Sequence, residues 1–108
     1  MSLNVNWSAS SEASRCVLSG ELDLSTEPRV KRALTQILQE RPERLVIDLA
    51  DVTFIDSTGL RALLSARNRA ATTGTRIVLG NVSSSVERTL DVANLTSFFE
   101  FEVSAEAG

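Results

Sequence analysis

The sequence predicts an α/β fold: a small mixed sheet, opened by an N-terminal hairpin and continued by βαβαβ-type crossovers, packed with helices. Three observations carry this. Near the start, apolar and polar residues alternate at a period of two. Further on, apolar stripes of helical spacing alternate with compact apolar runs. Gly, Pro and capping residues fall at the junctions, where turns and helix ends require them. The chain has 108 residues, 43% of them hydrophobic, which suffices for one core. No repeat, low-complexity tract or linker interrupts it, so a single domain is expected over residues 1–108, with its core at about 3–103.

Val5 and Trp7 alternate with Asn4, Asn6 and Ser8, the pattern of a half-buried strand. Ser8 to Ser14 is small and polar and reads as a connection to a second strand, Arg15 to Gly20. The segment Gly20-Glu21-Leu22-Asp23-Leu24-Ser25-Thr26 then leaves that strand and turns toward a helix. Ser25 or Thr26 can cap this first helix, and Pro28 is tolerated in its first turn because no amide partner is lost there. Val30, Ala33, Leu34, Ile37 and Leu38 form its buried stripe, and Pro42 ends it.

Leu45 to Leu49 is the compact run of a strand covered on both faces. A second helix starts at or just after Asp56, with Leu60, Leu63, Leu64 and Ala71 at helical spacing and Gly74 closing it. Thr75 to Gly80 is the next strand. Ser84 and Glu87 have the spacing of a capping box, followed by a third stripe of Val86, Leu90 and Ala93. Phe99, Phe101 and Val103 alternate with Glu100 and Glu102, as on an edge strand, and residues 104–108 read as a frayed tail.

Composition narrows the function. A formal charge of -3 argues against a nucleic-acid surface, which needs clustered Lys and Arg. The chain has no histidine, so it cannot by itself build a Ser-His-Asp triad. Its single cysteine, Cys16, defeats a cysteine-based zinc site and an internal disulfide, and reads as a small buried hydrophobe. No Gly-rich phosphate loop occurs, and the acidic cluster with placed lysine of a receiver is missing, Lys31 lying on the first helix. The start has neither the basic nor the apolar region of a secretory signal, and no apolar stretch nears ~20 residues. No metal, no cofactor and a cytoplasmic location are therefore expected.

The most informative segment is Phe54-Ile55-Asp56-Ser57-Thr58-Gly59-Leu60. It places two hydroxyls and a carboxylate where a strand becomes a helix, on a solvent-facing rim. A helix N-terminus offers unpaired amides and a partial positive charge, which suit a capping carboxylate or a phosphate on Ser57. The same spacing also suits a plain strand-to-helix turn, in which Asp56 or Ser57 caps and Gly59 permits close packing. Arg67 and Arg69 read as a solvated helix face, whereas Arg61, one turn from Ser57, suits either such a face or contact with a partner or a phosphate.

Asp56-Ser57-Thr58-Gly59-Leu60, after a strand ending Val46-Ile47-Asp48-Leu49, resembles the signature of the STAS domain, and most of all that of bacterial anti-sigma factor antagonists. Gly20-Glu21-Leu22-Asp23 is similar to a second family segment, and Asn81-Val82 followed by Val86 and Leu90 to a third. The resemblance implies a binding protein rather than an enzyme. Unphosphorylated, it would bind an anti-sigma factor that is a serine kinase and so free a sigma factor; phosphorylation of Ser57 would end binding, and a serine phosphatase would reset the cycle. ATP and Mg²⁺ would come with the kinase. By the same resemblance Thr58 is a weaker candidate acceptor, and Asp23, Ser25, Thr26, Asp56, Ser57, Thr58 and Gly59 form the partner-facing surface, to which Arg61 is added by its place one turn from Ser57. The alternative it implies is a STAS scaffold or accessory subunit of a signalling assembly or lipid transporter. Neither membrane nor nucleic acid is expected as a direct partner, and the oligomeric state stays open between monomer and weak dimer.

Overall fold

The computed structural model describes residues 2–9 and 13–102. Strands β1 (Leu3–Ala9) and β2 (Ala13–Leu22) pair antiparallel, with Trp7 opposite Cys16. Helix α1 (Glu27–Gln39) carries the chain to β3 (Arg44–Ile55), α2 (Ser57–Thr73) to β4 (Arg76–Gly80), and α3 (Ser84–Val92) to the short edge strand β5 (Glu100–Phe101). The sheet order is β1-β2-β3-β4-β5, and every pair after the first is parallel. This is the expected mixed α/β sheet, a hairpin extended by helical crossovers.

Side chains alternate along each strand, so Cys16 of β2, Ile47 of β3 and Leu79 of β4, aligned in register, share one face. There they join one core with Val30, Leu34 and Ile37 of α1, Leu60 and Leu63 of α2, and Val86 and Leu90 of α3. Cys16 is fully buried, and that burial pushes its thiol up to about 12, so the sulfur stays protonated and inert. The opposite face carries Arg15, Val46, Asp48 and Val78. Arg15 lies 2.7 Å from Asp48 and 3.1 Å from Glu102. Residues Leu45–Leu49 are buried without a break, as both-face cover requires.

Several element limits differ from the expected ones. β1 and β2 run further toward each other than the expected connection from Ser8 to Ser14 allows, since Ser8 pairs with Arg15 and Ala9 with Ser14. Trp7 is exposed, and Leu3 takes the buried place on that strand. β2 does not stop at Gly20 but continues to Leu22, and β3 continues past Leu49 to Ile55 through polar residues that are solvated at its end. α1 ends at Gln39, three residues before Pro42, and Arg41 between them has φ 50°.

On α2 the buried face consists of Leu60, Ala62, Leu63, Ala66 and Ala70, and Ala71 points to solvent. Gly74 closes this helix at φ 79°, a left-handed angle that costs glycine little. α3 is capped one residue earlier than the expected Ser84–Glu87 box, by Ser83, whose hydroxyl accepts from the Val86 amide at 3.4 Å. Ala93 is the exposed C-cap residue rather than part of the stripe. The edge strand is present as Glu100–Phe101, while Val103 and the expected tail lie outside the described residues.

Candidate functional site

Two turns meet at the ends of β2 and β3 where α1 and α2 begin. Both start with an aspartate. In the first, one carboxylate oxygen of Asp23 accepts from the Ser25 amide (2.9 Å), the Ser25 hydroxyl (2.7 Å) and the Thr26 amide (3.2 Å). The Thr26 hydroxyl donates to the Glu21 carbonyl at 2.7 Å and accepts from the Asp23 amide at 3.0 Å. Asp23 is 8% exposed and Thr26 4%. Thr26 holds the N-cap position without a side-chain bond into α1, because its oxygen is taken up within the turn. The Ser25 hydroxyl, followed by the two amides, holds the Asp23 carboxyl below the usual carboxylate range despite its desolvation.

In the second turn Asp56 is the N-cap of α2 and accepts from the Thr58 amide at 2.9 Å and the Gly59 amide at 3.1 Å. A Cβ on Gly59 would lie 2.7 Å from the Leu22 carbonyl oxygen and 2.8 Å from a carbon of Ile55, so only glycine lets the helix start sit against the strand ends. The Asp56 amide donates to that same Leu22 carbonyl at 3.2 Å and joins the two turns directly. Capping thus belongs to Asp56 and close packing to Gly59. Ser57, the first helical residue, is exposed and its hydroxyl has no hydrogen-bond partner among the described residues. Thr58 is half-buried beside it.

The geometry sorts the expected surface residues. Asp23, Leu24, Ser25 and Asp56 line one shallow depression between the turns, so the structure brings the two segments together. Asp23 and Thr26, expected to face a partner, are buried and shape the turn from inside, and the exposed positions of this turn are Leu24 and Ser25. Leu24 is 75% exposed at the tip and Phe54 47% exposed just before the second turn. Sequence reasoning missed both as exposed apolar residues; an apolar residue inside a turn, flanked by Asp and Ser, was the available signal for Leu24. Arg61 is exposed one helical turn beyond Ser57 and forms no ion pair among the described residues.

The other arginines of α2 are occupied. Arg67 stacks over Phe98 at 5.9 Å from the ring centroid. Arg69 bonds to the Thr35 hydroxyl of α1, so it faces the neighbouring helix rather than open solvent, contrary to expectation.

The third segment, Asn81-Val82, lies after β4. Asn81 takes φ 48° and donates to Asp48 at 3.0 Å. Burial alone would raise the Asp48 carboxyl, but bonds from the Ala50 amide, Arg15 and Asn81 outweigh it and hold the group below its usual range. This segment therefore builds the sheet end, where Asn81 fastens Asp48 and Val82 packs against the core.

Known proteins share this fold. A family model of the STAS domain matches residues 13–107. The anti-sigma-B factor antagonist of Bacillus subtilis strain 168 is 25% identical over 108 residues, covering 100% of this chain and 98% of that protein. Its counterpart of the same description in Listeria monocytogenes is 31% identical over 85 residues, 79% of this chain and 75% of that one. The crystal structure of an anti-sigma factor antagonist from Mycobacterium paratuberculosis matches with a TM-score of 0.81 at 25% identity, over 97% of this chain and 89% of the other. The chain belongs to the STAS domain family and groups within it with the anti-sigma factor antagonists.

Proposed function

We propose that this protein is a phosphorylation-gated antagonist which, unmodified, captures a serine-kinase anti-sigma factor and thereby releases a sigma factor in the cytoplasm, and which has no catalysis of its own. Ser57 is the phosphate acceptor. One observation carries the reading: at the start of α2 every structural task is done by another residue, and the exposed Ser57 hydroxyl is left without a partner among the described residues. A phosphate there would add about 1.5–2 negative charges. The helix amides and dipole would favour it by about 0.3–1 kcal/mol, so the fold would stand while the docking face changed.

Leu24, exposed at the tip of the neighbouring turn, supplies the apolar contact such a face needs, with the polar rim formed by Ser25, Thr58 and Arg61. A kinase of this kind brings ATP and Mg²⁺, and a serine phosphatase removes the phosphate. Incubation with the cognate kinase and ATP should place a single phosphate on Ser57, absent in Ser57→Ala. In pull-downs Ser57→Ala should keep binding, while Ser57→Asp weakens it by about tenfold or more. Equal retention of wild type, alanine and aspartate forms would sink the charge gate.

A further inference from the structure

α1 and α2 follow parallel strands and so run side by side in the same direction, with their N-termini at the rim described above. Between them lies a cavity of about 120 Å³. Its floor is apolar and buried: Leu34 and Leu38 from α1, Ala62 and Ala66 from α2. The space exists because alanines stand on α2 where larger residues would meet the leucines. An apolar cavity of ~150 Å³ takes up a benzene ring, so this somewhat smaller one has room for a hydrocarbon chain of a few carbons.

The walls of the cavity are cationic in a chain whose net charge is -3. Lys31, Arg61 and Arg69 line it, against the single carboxylate of Glu27. Arg69 is tied to Thr35 across the groove and closes the end away from the rim. Lys31 and Arg61 are exposed, one on each helix, and neither forms an ion pair or hydrogen bond among the described residues. An apolar slot flanked by two unpaired cations matches one ligand chemistry.

We propose that the groove between α1 and α2 binds a small amphipathic anion, its short hydrocarbon part on Leu34, Leu38, Ala62 and Ala66 and its carboxylate or phosphate head between Lys31 and Arg61. This site does not depend on Ser57 being a phosphate acceptor. The ligand is a free, water-soluble molecule, because the cavity has no room for a long acyl chain.

Titration of the isotope-labelled full chain with hexanoate, followed by amide NMR shifts, tests it. Hexanoate should give saturable shifts confined to residues 31–38 and 61–69. Acetate, which lacks the hydrocarbon, and hexanol, which lacks the charge, should each bind about tenfold more weakly or worse. The Lys31→Gln/Arg61→Gln variant changes only exposed side chains, should keep the wild-type spectrum elsewhere, and should weaken hexanoate about tenfold or more. Ala66→Leu, which fills the slot, should remove binding; should it unfold the chain, the surface variant still decides. Shifts that do not saturate, equal affinity for acetate or hexanol, or hexanoate binding untouched in the Lys31/Arg61 variant would each overturn the proposal.

Discussion

The turn that starts α1 and the turn that starts α2 both open with an aspartate whose carboxylate accepts backbone amides, yet they leave their hydroxyls in opposite conditions. Asp23 draws in the Ser25 hydroxyl, and Thr26 is bonded at both ends inside the turn. Asp56 bonds only amides, and Ser57 stays uncommitted. A hydroxyl already bonded resists modification, because a phosphate there would break the turn. A free one at a helix start accepts the group with the fold intact. Two turns of similar composition thus differ in what they leave free: the first keeps its Ser25 and Thr26 hydroxyls bonded, and the second leaves that of Ser57 open.

Four experiments probe that contrast, beginning with the most severe change. Thr26→Val keeps the shape but deprives the buried Asp23 amide of its acceptor and the Glu21 carbonyl of its donor; it should cost about 2–3 kcal/mol in chemical denaturation. Gly59→Ala forces a Cβ against the Leu22 carbonyl and should cost about 1–2 kcal/mol, the overpacking exceeding the gain in helix propensity.

The third experiment is an acid titration. Asp23 and Asp48 both have folded pKa values below their ordinary ones, so the stability they contribute is present above the unfolded pKa and is lost as pH falls through the folded one. Denaturation midpoints should decline between about pH 5 and pH 2, and Ser25→Ala, by raising the Asp23 pKa toward its ordinary value, should shrink Asp23's share of that decline. The smallest effect is expected at the proposed acceptor: Ser57→Ala should change stability by less than about 0.5 kcal/mol. A loss of about 2 kcal/mol there would mean that Ser57 has a structural task, and the contrast between the turns would fail.

Much of the fold was legible because burial writes a period into the chain. The stripe from Val30 to Leu38 and the run from Leu45 to Leu49 locate α1 and β3 without any tertiary knowledge. The limits were harder. β3 runs on through Asp51, Thr53 and Phe54, whose side chains are solvated at its end, so its second half lacks an apolar run. The inner face of α2 was misjudged at Ala71 because alanine is weakly apolar, and Ala62, Ala66 and Ala70 carry that face instead.

At the site, the Asp56–Gly59 signature was visible because capping and close packing act within four residues. The inward role of Asp23 and Thr26 was not, since it rests on bonds back to Glu21 and on burial under neighbouring elements. Nor does any local pattern announce that Phe54 stands out into solvent, whereas Leu24 is at least flanked by Asp and Ser within its turn.

The Leu22 carbonyl has a larger consequence than its single hydrogen bond suggests. By accepting from the Asp56 amide while pressed against Gly59, it fastens both turns into one knuckle. Any macromolecule that grips Leu24 therefore meets Ser57 at a set spacing, with little loop ordering left to oppose association. For a partner docking there, such a knuckle would favour crisp, reversible exchange over slow mutual adaptation.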